Sequence, residues 1–263
     1  PEGSVVNCTF PAAVAARMQV GHFMTEMIFK ALSAATPDNI IAGSGGTPAQ
    51  TNIFYGKRHD EKPWHTMIIR GGGMGAGNRM DGHHCAIFPA NGANTPVEIF
   101  ESDTPLIVES RELVCDSGGP GKMRGGIGRK MVIRVPDDDS APMSPTTIAV
   151  QAGRFRYPPE GIFGGKPGAR ARFLKNGDPA DPSGLTFCET GDILAFYSAG
   201  GGGCGSPLDR DPEAVAKDVM NGYVSLEGAH KDYGTVVDPV SLIVDPAATE
   251  KLRIAAIKKE AKE

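Results

Sequence analysis

Thirty-five glycines in 263 residues, gathered into short runs, constrain this chain more than any other feature. The densest runs are GGGMGAGNRMDG (71–82), GGPGKMRGGIG (118–128) and GGGGCG (200–205). Glycine weakens helix and strand interiors alike, but it permits tight turns and close backbone approach. The clusters alternate with apolar runs and share their surroundings with many of the 21 prolines, so they punctuate ordered elements and do not form a disordered tract. Many tight turns between short strands point to a β-rich architecture.

The apolar runs between the clusters give the elements. Residues 11–35 carry Val14, Met18, Phe23, Met27, Ile28 and Leu32 at helical spacing, with Pro11 suited to the first turn. Strands are expected at 52–58, 65–70, 96–101, 105–114, 129–135, 146–152, 171–176 and 192–199, each rich in β-branched or aromatic residues. The segments 58–63, 136–145 and 176–184 read as polar loops. After GGGGCGSPLDR the character changes. Asp211, Pro212 and Glu213 open a helix that Gly222 stops. Ser225 caps a second helix ending at Gly234, and a charged third follows from Pro246. The pattern predicts an α+β chain with an N-terminal helix, a β-rich middle (1–205) and a helical C-terminal appendage (206–263) packed on it.

Length and composition narrow the function classes. A chain of 27.6 kDa buries a core without staples. Its five cysteines (8, 85, 115, 188, 204) are scattered and contain no C-x-x-C pair, which fits a reducing compartment better than a disulfide framework. A formal charge of -4 and pI near 5.9 leave no footprint for nucleic acid. The most apolar stretch, AAVAARMQVGHFMTEMIFKAL, carries Arg17, His22 and Glu26 and reads as an amphipathic helix, not a membrane span. The N-terminus has no basic n-region, so the cytoplasm is the expected location.

The stretch 71–85 holds the candidate site residues Asp81, His83 and His84, beside Cys85. A dinucleotide loop requires a helix after the glycines, and NRMDGHHCAIF does not continue as one. No Walker loop occurs, and the other glycine runs lead into a strand or a proline, as hairpin turns or close backbone approach would. A metal reading is open: if 81–85 is extended, Asp81, His83 and Cys85 share one face. Ligands at that spacing lie roughly 7 Å apart on a flat strand, wide for a tetrahedral ion. The alternative is half-buried histidines bonded to backbone carbonyls, with Asp81-Gly82 forming a turn. Ser117 in CDSGGPG has no accompanying His–Asp order and reads as a turn residue. The residues by themselves describe a β-rich domain without a self-sufficient active site.

Several stretches taken together resemble the hydantoinase B family. NTPVEIFE (94–101) followed by PLIVESRELVCDSGGPGKMRGGIG (105–128) looks like its signature. The opening PEGSVVNCTFPAAVAAR, the GGGMGAG…DG stretch, and GGGGCGSPLDRDPEAVAKDVMNGYVSLEGAHKDYGTVV fit the same pattern in order. That family includes the B-type component of ATP-dependent hydantoinases, the C-terminal part of 5-oxoprolinase and the alpha subunit of acetone carboxylase. The resemblance is to the C-terminal half only. The family's N-D-P-Y-x-G-G-x-H-x-x-D motif, whose His and Asp hold a divalent metal in the carboxylases, lies in the other half and has no match in residues 1–263.

The resemblance therefore implies one part of a split or processed B-type subunit, inactive alone. ATP and a divalent metal are expected in the complex, bound by partner chains and not by this one. The implied partners are a hydantoinase A-like subunit of kinase fold and a metal-bearing N-terminal half of the B-type subunit. The implied reaction is ATP-dependent hydrolysis of a cyclic amide such as a hydantoin. Alternatives are a ketone carboxylase subunit of the acetone carboxylase type and a non-catalytic scaffold. An independent metallohydrolase using His83, His84 and Cys85 is a further class, which requires metal bound by the chain alone. Residues 71–85 and 94–98 are expected at or near the interface with the missing half, because glycine-rich backbone lets another chain approach closely.

Overall fold

The computed structural model describes residues 1–260 apart from 5, 13, 15, 16, 49, 59 and 144, and without the side chains of 259 and 260. The expected helix over 11–35 and the expected loops over 58–63 and 136–145 each include residues outside this set. Within it, the first helix, α1, runs Arg17–Leu32.

Alternating apolar residues build two antiparallel sheets. The first has the order β2 (Pro63–Arg70), β1 (Gln50–Lys57), β5 (Thr146–Gln151), β8 (Leu185–Cys188). The second has the order β3 (Ile107–Leu113), β4 (Arg129–Arg134), β9 (Ile193–Tyr197), β6 (Arg172–Lys175), β7 (Asp178–Pro179). Their inward faces meet in one core. Phe54, Ile68, Ile148 and Val150 come from the first sheet, and Met131, Ile133, Phe173, Leu194 and Phe196 from the second. Phe173 stacks on Phe196 at 4.7 Å between ring centroids, and Phe54 meets Phe100 edge-on at 5.4 Å.

The segment 96–101, expected to be a strand, is instead part of helix α2 (Val97–Asp103). Pro96 precedes it, Glu98 stands in its first turn, and Phe100 turns inward while Ile99 stays exposed. Thr104 closes the helix by donating its backbone N–H and its hydroxyl to the Phe100 carbonyl. The apparent alternation misled because only one of its apolar residues has a core to enter.

The glycine runs are mainly close-packed extended segments outside the two sheets, with one tight turn at 77–80, where the Gly77 N–H donates to the Met80 carbonyl at 3.0 Å. Along 200–205 the backbone N–H groups donate outward in turn to Ala169, Gly126, Gly43, Lys166, Met123 and Ile162 carbonyls. Over 200–204 the targets recur every third residue, 200 and 203 reaching the 166–169 segment and 201 and 204 reaching 123–126, before Gly205, at φ +75°, turns out of the run. That is the three-residue period of a polyproline-II-type helix, which has no internal hydrogen bonds and must find partners outside itself. The segments lie too close for side chains. A Cβ on Gly200 would stand 1.7 Å from the Ser117 carbonyl oxygen, and one on Gly73 1.8 Å from that of Gly126.

The C-terminal helices are capped as their sequence predicts. Asp211 accepts from the Glu213 N–H ahead of α3 (Pro212–Met220), and Ser225 accepts from the Gly228 N–H ahead of α4 (Leu226–Tyr233). Gly234 ends α4 with φ +57°, and α5 runs Pro246–Glu260. Val215, Val224, Ala229, Tyr233, Val237 and Val244 form a second apolar cluster. No described helix is long and apolar enough to cross a membrane.

Candidate functional site

The stretch 71–85 threads from β2 through the glycine bundle and emerges where the C-terminal helices pack. Asp81 sits at that junction. Its carboxylate accepts from both terminal nitrogens of Arg210, Nη1 at 2.8 Å and Nη2 at 2.7 Å, and from the Arg124 backbone N–H at 2.6 Å. Arg210 Nη2 also donates to Asp218 Oδ2 on α3 at 2.8 Å, and Arg124 Nε donates to the same oxygen at 3.1 Å. Two guanidiniums and two carboxylates thus share one site, nearly dry at Arg124 (3% exposed), Arg210 (5%) and Asp218 (8%) and open to solvent at Asp81 (36%).

Burial works to raise the pKa of Asp81, but hydrogen bonds from Arg210 and its charge outweigh burial and hold the carboxyl below the usual range. Asp81 is therefore ionised, with its lone pairs engaged, and suits a clamp rather than a proton carrier. Arg124 lies 5.1 Å from the Tyr223 ring centroid, and the His84 ring centroid lies 4.4 Å from the same ring.

His84 Nδ1 accepts the Ile127 backbone N–H at 2.9 Å. Burial first, and Arg124 second, lower its pKa. Both effects favour a neutral imidazole, and because Nδ1 accepts from Ile127 its proton is on Nε2. Such a ring can donate a hydrogen bond to a carbonyl or an oxyanion, but it has no free lone pair to act as a base. The His83 side chain is exposed, while its carbonyl accepts the Met74 N–H at 2.9 Å. The structure thus brings Asp81 and His84 into one charged cluster and leaves His83 on the open side of the turn. Arg124, Arg210 and Asp218 complete the cluster. Nothing in their local sequence marks them, because 43 and 129 residues separate Arg124 and Arg210 from Asp81.

Residues 81–85 do not form a strand, and Cys85 takes a left-handed φ of +51°, so Asp81, His83 and Cys85 do not line one face. Among the described residues no group of three or more His, Cys, Asp or Glu side chains is placed to hold a metal ion. Ser117 Oγ donates to the Val114 carbonyl at 2.6 Å and accepts the Gly128 N–H at 2.9 Å, which makes it a turn residue. Asn94 joins the two expected interface segments: its Oδ1 accepts the Gly71 N–H at 3.0 Å, and its Nδ2 donates to the Cys85 carbonyl at 2.9 Å.

A family model described as Hydantoinase B/oxoprolinase matches residues 1–207. The chain is 30% identical over 261 residues to the putative B-type subunit of a D-/L-hydantoinase from Pseudomonas sp. (strain NS671), covering 96% of this chain and 42% of that protein. It is 30% identical over 208 residues to the acetone carboxylase alpha subunit of Xanthobacter autotrophicus, covering 63% of this chain and 26% of that one. Among solved structures, the ATP-dependent caprolactamase from Pseudomonas jessenii superposes with a TM-score of 0.68 at 26% identity, over 86% of this chain and 40% of that chain. The chain spans less than half the length of these relatives.

Proposed function

Because the chain belongs to the Hydantoinase B/oxoprolinase family, we propose that it forms part of a B-type subunit in an ATP-dependent, multisubunit enzyme that hydrolyses a cyclic amide such as a hydantoin. The observation that carries this reading is the 30% identity along nearly the whole chain with a protein named as a B-type hydantoinase component. The donor set does not fit a divalent metal, since among the described residues no three acids, histidines or cysteines stand together, and Asp81 and Asp218 are both engaged by arginine. In the proposal, the metal belongs to the companion N-terminal half and ATP to a hydantoinase A-like subunit of kinase fold.

This chain's contribution is positional. The glycine bundle provides a rigid wall, and the Asp81–Arg210 clamp fixes the turn that presents His83 and His84. The Nε2–H of His84 is a donor suited to an amide carbonyl in transit. The companion half packs on α1, none of whose residues is buried, and approaches the 71–85 and 94–98 segments.

Reconstitution with both partners tests the proposal. ATP-dependent opening of hydantoin is expected only when all chains are present. A complex fully active without this chain refutes a catalytic role and leaves a scaffold. ATP- and bicarbonate-dependent consumption of a ketone, with no amide hydrolysis, replaces the reading with the ketone carboxylase one that similarity to acetone carboxylase alpha favours. If Asp81→Ala, His83→Ala and His84→Ala each left assembly and turnover unchanged, the interface role of this turn would be wrong.

A further inference from the structure

Two arginines are buried at one end of the sheet sandwich, and among the described residues no acid pairs with either of them. Arg70, the last residue of β2, is 2% exposed, and Arg129, the first of β4, is 4% exposed. They project from opposite sheets into the same layer. Arg70 pairs across β1 with Gln50, and its Nη2 donates to Asn52 Oδ1 at 2.9 Å. Its guanidinium lies 4.7 Å from the Phe196 ring centroid in the other sheet. Phe196 stands opposite Met131, two residues along β4 from Arg129 and on the same face.

The polar atoms around them are under-satisfied. Among the described residues, Arg70 Nε and Nη1, Arg129 Nε, Asn52 Nδ2 and both amide atoms of Gln50 are buried without a hydrogen-bond partner. Gln50 and Asn52 are themselves fully buried. This cluster is rich in donors, and no ion pair of either arginine occurs among the described residues. Burial, then repulsion from Arg129, pulls Arg70 down to about 9; burial, then Arg111, pulls Arg129 down to about 10. A guanidinium stays charged at neutral pH even so, and a buried charge requires a counter-charge.

The cluster reaches the surface through Arg111 and Cys85. Arg111 on β3 is exposed, faces the same layer, and donates to the Thr95 carbonyl at 3.0 Å. Cys85 is half-buried beside both Arg111 and Arg129. Positive charge therefore steps inward from Arg111 to Arg129 to Arg70, beside the Asn94 bridge between the 71–85 and 94–98 segments.

We propose that this end of the sandwich is a binding site for a small oxyanion, a carboxylate, bicarbonate or phosphate group, held between Arg70 and Arg129, oriented by Gln50 and Asn52, and admitted past Arg111. Planar guanidiniums and side-chain amides offer the paired donors that such anions accept. The site involves none of the residues of the Asp81 clamp, so the proposal stands or falls apart from the amidohydrolase reading.

Thermal unfolding of the full chain, titrated with phosphate, acetate and bicarbonate at constant ionic strength, tests it. A ligand that binds only the folded state raises Tm in a saturable way, whereas excluded salts raise it without saturation. The expected result is a saturable rise for at least one of the three, and the lowest half-maximal concentration identifies the preferred oxyanion class. Arg129→Gln is expected to abolish the saturable component. Arg111→Gln, on an exposed side chain, is expected to raise the half-maximal concentration several-fold and carries the test alone if Arg129→Gln does not fold. Absence of a saturable rise with all three anions overturns the proposal, because the charge is then balanced by something that does not exchange. A saturable rise unchanged in both variants overturns it equally.

Discussion

Replacing Asp81 by Asn keeps its shape and removes its charge, which isolates the clamp between the glycine bundle and the C-terminal helices. Asp81 accepts three hydrogen bonds, two of them from Arg210. Breaking a buried ion pair by removing one partner costs about 3–5 kcal/mol. Two features reduce that figure. The Asp81 side chain is 36% exposed, so solvent screens part of the charge, and Arg210 keeps Asp218 at 2.8 Å. The expected loss is about 2 kcal/mol. For a chain of this size each kcal/mol moves Tm by about 2–4 °C, so Tm falls by about 4–8 °C. The pH dependence supplies the sign. The folded pKa of Asp81 lies below the ordinary 3.8, so its contribution is present above that value and disappears as pH falls through the depressed folded pKa. Scanning calorimetry of both proteins from pH 7 to pH 2 should therefore show curves that converge only at the acid end. Asp218→Asn, which removes the carboxylate partner of the buried Arg124 and one of the two held by Arg210, should be worse because Asp218 is only 8% exposed, at about 3–5 kcal/mol. A Tm within about 1 °C of wild type for Asp81→Asn, or a milder effect from Asp218→Asn, refutes the clamp.

Other consequences follow from the same geometry. Gly200→Ala drives a Cβ to 1.7 Å from a backbone oxygen and should prevent folding, read as loss of the soluble cooperative transition, whereas Gly21→Ala in α1 meets nothing within 4 Å and should stabilise by up to about 1 kcal/mol in denaturant titration. His84 is held below its ordinary 6.5, so the unfolded chain takes up its proton first and stability should fall as pH drops below 6.5 toward the folded pKa; imidazole NMR titration gives that pKa, and a value above 6.5 contradicts the Ile127 bond. Met27→Lys and Ile28→Lys change side chains that are 61% and 54% exposed, so stability should change by less than about 0.5 kcal/mol while co-purification with the companion half is lost.

Strands β1 to β6 and β9 were legible because β-branched and aromatic residues alternate along them, and the C-terminal caps because Asp211, Ser225 and Gly234 act on their own neighbours; β7, inside the expected loop 176–184, and β8 are only two and four residues long and were not. The stretch 96–101 was not, since Phe100 alone among its apolar residues finds a core. Within the candidate site, the sequence singled out Asp81, His83 and His84 by residue type and crowding. It held no hint that Arg210 and Asp218 would meet Asp81, because that contact depends on how the C-terminal helices dock.

The same division applies to the glycines. The sequence alone determined that 71–82, 118–128 and 200–205 must accommodate something close, since so many positions lack a Cβ. Only the tertiary structure decided that the close neighbours are one another, with donors recurring every third residue. Helix and hairpin bonds link residues a few positions apart and leave a local signature. The bonds of an extended glycine segment go to chain segments tens of residues away, and local sequence carries no record of them.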